Sequence, residues 1–207
     1  MEIIQTFRWY EITITHQIDG DMRINDHLSN IIRPYPQAHG TDIREYTGND
    51  DLPFMSIDGI YTQIHEVAIG WLCADCPILL FLWKWEVAAI HSGWRGTKAN
   101  IAEHAINLFQ NTSRSEIQVY IWPHIWASSY EVQWDFFAHF PMKYIHEKEW
   151  KHYFDIESVL IDQLSTLGIL KNNIISHGDD TFLDKRYYSY RRDGMIGVWC
   201  VSVKMLL

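Results

Sequence analysis

An α+β fold, a single domain of mixed β-sheets flanked by helices, is what this sequence predicts, on three observations. Residues 56–91 hold four short apolar runs, IDGIYTQI, VAIGWL, PILLFLW and EVAAIH, without helical spacing. Such runs read as strands buried on both faces at the centre of a sheet. Two segments, 97–110 and 155–168, carry apolar residues at helical spacing instead, and strands and helices do not alternate regularly. With 207 residues, 47% of them hydrophobic and 14% aromatic, the chain suits one domain spanning 1–207 with a substantial core.

Taken in order, residues 1–16 alternate as a strand ending in EITITH, and the polar QIDGDMRINDHLSN that follows reads as a loop. A second strand surrounds AHGTDIREY, closed by a turn at GNDD, 48–51. After the central strands, TKANIAEHAINLFQ places Ile101, Ala105, Leu108 and Phe109 on one helical face with Thr97 available as a cap. In DIESVLIDQLSTLG the same holds for Ile156, Val159, Leu160, Leu164 and Leu167, with Asp155 as N-cap and Gly168 as the stop. A short helix is expected through 130–140, and strands at 116–122, 172–177 and 195–206. No internal repeat, low-complexity tract or linker divides the chain.

Net charge is −9, from 17 basic and 26 acidic residues, and the basic residues are scattered. That argues against nucleic-acid or anionic-membrane surfaces and for small-molecule partners. The longest apolar stretch, 77–90, contains Lys84 and Glu86 and is too short to span a bilayer. Three cysteines, no signal-peptide pattern at the N-terminus and no disulfide spacing point to a soluble protein of the reducing cytoplasm.

Three strings look built to present ligands: PQAHGTD (36–42), ADCPILLF (74–81) and AAIHSGWRG (88–96). Their His39, Cys76 and His91 make up two imidazoles and a thiolate, a three-ligand set that suits zinc and leaves a fourth position open. Each alone is ordinary, since His39 is one of 11 histidines and a lone free cysteine packs as a small hydrophobe. CADC (73–76) is a Cys-x-x-Cys, but redox chemistry wants its first cysteine at a helix N-terminus, and here Pro77 and a strand-like run follow. The glycines of HSGWRG let backbone approach a ligand, with Arg95 as a planar anion-binding fork, unless this is an ordinary glycine turn. In SYRRDG (189–194), Arg191 and Arg192 point to different sides of an extended chain, so one faces a pocket and the other serves an ion pair. His124, His146, His152 and His177 carry no spacing that yields chemistry.

Together, QAHGTD, SIDGIYT, ADCPILLF, AAIHSGWRGT, IWPHIWASSYEV and YYSYRRDG resemble, in order and spacing from Pro36 to the C-terminus, the YfiH-like family. That family is also labelled the multicopper polyphenol oxidoreductase or laccase-domain family, and is assigned as purine nucleoside phosphorylases. The resemblance implies zinc held by His39, Cys76 and His91. It implies phosphorolysis of adenosine, inosine, guanosine and methylthioadenosine, with adenosine deamination as a second activity, so the partners are a purine nucleoside and phosphate. Arg95, Arg191 and Arg192 are then candidate phosphate holders, and Asp75 a candidate acid, base or outer-shell group. The enzyme would act as a monomer or homodimer.

Rival readings are a peptidoglycan-editing hydrolase acting on a muramyl nucleotide, a copper-dependent polyphenol oxidase, and a non-catalytic structural-zinc module. Copper phenol oxidation asks for more clustered His and Cys ligands than these strings supply. The chain also departs from the family's pattern. The N-terminal R-x-G-G-x-S string is abbreviated, leaving Arg23 as its only arginine candidate; the usual Cys-Thr is Asp180-Thr181, and the paired cysteines are Ser128-Ser129. Trp122 and Trp126, two of ten tryptophans, stand where the family has glycine, as expected if UGA codons read as glycine in the source were translated as tryptophan.

Overall fold

The computed structural model describes residues 9–24, 30–48 and 55–207, and the backbone of 2–6. Along it run β1 (Glu2–Thr6), β2 (Tyr10–Ile14), β3 (Ile31–Ile32), β4 (Ile43–Tyr46), β5 (Gly59–Thr62), β6 (Ala68–Cys73), β7 (Ile78–Trp83) and β8 (Glu86–His91). Then come α1 (Trp94–Lys98), α2 (Ile101–Ile106), β9 (Gln118–Ile121), β10 (Glu131–Val132), β11 (Ile145–Lys148), β12 (Lys151–Phe154), α3 (Ile156–Thr166), β13 (Ile174–Ser176), α4 (Tyr190–Asp193) and β14 (Trp199–Met205). No helix among the described residues is long and apolar enough to cross a membrane.

The central apolar runs are strands, and their composition has a direct cause. Side chains alternate across a strand, and β7 sends Ile78, Leu80 and Leu82 into one core cluster and Leu79 and Phe81 into another. β8 divides likewise, Val87 and Ala89 against Ala88 and Ile90. Both faces are therefore covered. A six-stranded mixed sheet, in the order β13-β9-β7-β8-β5-β4, has α1–α3 on one face. Its other face meets a five-stranded sheet, β1-β2-β14-β6-β3, through Ile12, Ile14, Trp71, Val201 and Val203. A small antiparallel sheet, β10-β12-β11, adds Val132, Ile145 and Phe154 to the core on the helix-bearing face.

Several expectations shift in detail. The first strand is two, β1 and β2, paired antiparallel. The helix expected from Thr97 begins at Trp94, so Thr97 is not its cap; it is buried inside α1, its hydroxyl 2.9 Å from that of Ser92. Asn100 then takes a left-handed conformation (φ 57°) and breaks the segment into two short helices, the second ending at Ile106. Residues 130–140 form strand β10 and a 3-10 turn over Trp134–Ala138 rather than an α-helix, and the hairpin β11–β12 had no sequence signal strong enough to place it. α3 agrees closely: Asp155 accepts from the Ser158 N–H at 2.9 Å, and Gly168 stops the chain at φ +95°. Apart from Gly48, the expected GNDD turn lies outside the described residues.

Candidate metal centre

The sheet brings the three ligand strings together by register. Ile78 of β7 pairs with His91 at the end of β8, which sets the β6–β7 loop carrying Cys76 beside His91. Gly59 of β5 pairs with Ile90, which sets Asp58 against His91 from the other side. His39 arrives on the loop between β3 and β4 in a left-handed conformation, φ 58°. The ligand atoms of His39, Cys76 and His91 all lie within 4.8 Å of one another, and the two imidazoles meet edge-on, centroids 4.9 Å apart.

Their surroundings fit a bound cation. His91 Nδ1 is 2.9 Å from Asp58 Oδ1, which leaves Nε2 as the free donor atom, the usual arrangement of a metal-binding histidine. A Cβ on Gly93 would sit 3.2 Å from Cys76 Sγ, 3.4 Å from His91 Cε1 and 3.5 Å from His39 Cδ2, so the glycine makes room for all three ligands. Gly96 serves a different approach, since a Cβ there would come within 2.8 Å of the Gly40 carbonyl. The glycines expected to admit an anion thus admit the ligands and the loop that carries His39.

Charge is arranged to the same end. Burial alone would lower the His91 imidazole, but Asp58 and the Cys76 sulfur beside it raise its pKa to about 9. His39 moves the other way, lowered by burial and by His91, toward the neutral form that binds metals. Asp58 is resisted by burial yet held below the usual carboxylate range by His91 and by the Gly40 and His39 N–H groups. Cys73 is no partner in redox chemistry here: burial pushes its thiol well up, it lies at the end of a strand rather than at a helix N-terminus, and it donates to the Cys76 carbonyl.

The cluster opens onto a cavity of about 490 Å³ that Asp75, Arg95 and Arg191 also line, with Tyr35, Trp94, Tyr130 and Tyr190 as aromatic wall. This size suits a small ligand. Arg95 lies over Trp94 at 4.3 Å from the ring centroid and makes no hydrogen bond among the described residues. Arg191 lies over Tyr130 at 5.3 Å and gives only one donor away, to the Glu131 carbonyl. Both guanidinium groups therefore keep donors for a ligand.

Arg192 does not join them. It reaches Asp193 at 2.6 and 2.8 Å and the carbonyls of Thr181, Phe182 and Tyr187 at 2.7–2.9 Å, which spends its five donors away from the cavity. The two arginines diverge as expected, although on the single turn of α4 rather than on an extended chain. Asp75 is placed at the cavity but its carboxylate is also spent, accepting from Thr181 Oγ1 at 2.7 Å, Ser189 Oγ at 3.0 Å and the Arg191 N–H at 2.7 Å. Its φ of 87° costs on the order of 1–3 kcal/mol for a non-glycine residue, and those three bonds offset it. Arg23 lines the cavity with its donors turned to Asp21 and the Met195 and Ile196 carbonyls.

Asp58 escaped sequence reasoning. Its signal was a carboxylate inside SIDGIYT, in a region read as largely buried strands, where an ionised group must have dedicated partners.

Residues 24–205 match the family described as multi-copper polyphenol oxidoreductase laccase. The chain belongs to this family. Within it, the chain is 30% identical over 143 residues to a purine nucleoside phosphorylase of Aquifex aeolicus, covering 69% of this chain and 68% of that protein. It is 32% identical over 170 residues to one of Clostridium acetobutylicum, covering 76% and 70%. Among solved structures, YlmD from Geobacillus stearothermophilus superposes over the whole of both chains with a TM-score of 0.81 at 23% identity. YfiH of Bacillus licheniformis covers 87% of this chain and 75% of its own, with a TM-score of 0.78 at 23% identity. These structures share the mixed-sheet fold of the family.

Proposed function

We propose that this chain is a zinc-dependent purine nucleoside phosphorylase that cleaves adenosine, inosine, guanosine and methylthioadenosine, with adenosine deamination as a side activity. One observation carries the reading: the His39–Cys76–His91 cluster and the unspent donors of Arg95 and Arg191 face a single cavity. Relatives named purine nucleoside phosphorylase support the choice of reaction.

His39, Cys76 and His91 would hold the metal, which when bound supplies Lewis acidity at one open position. Arg95 and Arg191 bind phosphate, held over Trp94 and Tyr130 so that little side-chain freedom is lost on binding. Placing that phosphate against the anomeric carbon, as negative charge develops on the leaving purine, is the positional work the two arginines do. Asp75 and Arg192 act as positioning residues, the first through the Arg191 backbone and the second by clamping the 181–187 turn. Three free thiols fit a cytoplasmic setting for the whole single-domain enzyme.

Incubating metal-assayed protein with inosine or adenosine, with and without phosphate, tests this. Phosphate-dependent release of hypoxanthine or adenine is the expected result, and inosine from adenosine without any base release would leave deamination alone. The family's laccase label gives a copper phenol oxidase as second reading. Multinuclear copper chemistry asks for further ligand clusters, and the described residues hold one group of three His, Cys or acidic ligands, this one. Phenol oxidation that requires added copper, with no nucleoside turnover, would favour the second reading.

A further inference from the structure

We propose that Asp58 is the positioning residue of the metal centre: a single buried carboxylate that orients His91 through its Nδ1 and fixes the His39 turn through two backbone N–H groups. The proposal rests on the metal-centre reading above. Asp58 is 0% exposed and stands just before β5, where the chain passes between the other two ligand-bearing segments. Its Oδ1 lies 2.9 Å from both His91 Nδ1 and the His39 N–H, and its Oδ2 accepts from the Gly40 N–H at 2.6 Å. The backbone of the same residue makes two more ties, donating to the Asp42 carbonyl and accepting from the His91 N–H, each at 2.8 Å.

Five hydrogen bonds thus run from one residue to the loop 39–42 and to His91. The arrangement explains two things that neither ligand string explains alone. His39 is held in a left-handed conformation that a non-glycine residue rarely adopts, and the two N–H groups exposed by that turn are the ones Asp58 accepts. With a metal bound, the one hydrogen His91 keeps would be that on Nδ1, where the Asp58 carboxylate receives it, and Nε2 would present its lone pair beside Cys76 and His39.

The chemistry requires an acceptor on both oxygens, which makes the isosteric amide informative. In Asp58→Asn, one oxygen becomes an NH2 group and must face a donor. Turned toward Gly40, it repels that N–H and loosens the His39 turn. Turned toward His91, it donates to Nδ1 and moves the ring hydrogen to Nε2, where it blocks the metal. Either outcome weakens the site without removing a ligand.

The test is zinc affinity, measured by chelator competition on purified metal-free protein, with circular dichroism to confirm the fold. Asp58→Asn is expected to bind zinc roughly 10–100-fold more weakly than the unaltered protein, the range for partners behind a metal ligand. Unchanged affinity in folded Asp58→Asn overturns the proposal, whereas Cys76→Ala that keeps zinc overturns the metal-centre reading itself. A measurement on the unaltered protein covers the case in which Asp58→Asn fails to fold. Long-range proton–nitrogen NMR of the zinc-loaded form should show the His91 ring hydrogen on Nδ1, in a downfield, exchange-protected resonance. A ring hydrogen on Nε2, or no protected Nδ1 hydrogen, overturns the proposal, and a merely structural Asp58 would lower thermal stability with that signature intact.

Discussion

At the scale of single residues, the centre depends on tolerances of a few tenths of an ångström. A methyl at Gly93 would press on Cys76, His91 and His39 together, at 3.2–3.5 Å. Gly93→Ala is therefore expected to lower zinc affinity by about an order of magnitude, as a displaced outer group does, while the metal-free protein keeps most of its melting temperature. His91 gives a pH dependence. Its pKa is raised from 6.5 to about 9 in the fold, so its protonated pairing with Asp58 stabilises the metal-free protein fully below about pH 6.5 and is lost as pH rises through 9. Thermal melts of the metal-free protein should fall across that window, and zinc, which displaces the proton, should remove the dependence. The thiols differ by access. Cys76 is half-buried while Cys73 and Cys200 are 3% and 1% exposed, so one cysteine should react with a thiol reagent in the native protein. Mass mapping should find it at Cys76, protected by zinc; labelling at Cys73 would contradict the geometry.

At the scale of elements, the turn of α4 sends two adjacent arginines into different surroundings, Arg191 to the cavity and Arg192 to Asp193 and three carbonyls. Arg191→Ala should raise the KM for phosphate with little change in stability. Arg192→Ala, which leaves the Asp193 carboxylate and three carbonyls without their donor, should cost about 1–3 kcal/mol in urea unfolding and change phosphate KM far less. The break at Asn100 is a second such device. Asn100→Gly should be tolerated, whereas Asn100→Val, which must hold a β-branched side chain at φ 57°, should destabilise by roughly 1–2 kcal/mol. Trp122 is the local misfit. It is buried with its indole N–H unpartnered among the described residues, and neither it nor Trp126 adopts the left-handed backbone that would demand glycine. Peptide mass spectrometry of protein from the source organism is expected to show glycine at 122; tryptophan there would dismiss codon reassignment as the cause.

At the scale of the whole molecule, the site stands at one end of the six-stranded sheet because β8 ends there, at His91, and β5 and β7 begin there, at Gly59 and Ile78. The layers on both faces of that sheet bury its central strands, and the loops at this end line the cavity. Phe81, 0% exposed between β7 and the helices, should cost about 3–5 kcal/mol when cut to alanine, with zinc affinity of the folded protein little changed. The sequence by itself determined the central strands, the helix at α3 and the choice of the three strings whose His39, Cys76 and His91 converge, because burial on two faces, capping and ligand chemistry are written in neighbouring residues. Only the tertiary structure decided that Asp58 stands behind His91, that Arg191 and not Arg192 faces the cavity, and that Asp75 is bonded on every side. Those outcomes depend on strand register and on which donors remain unspent after packing, and both are relations between residues far apart in the chain.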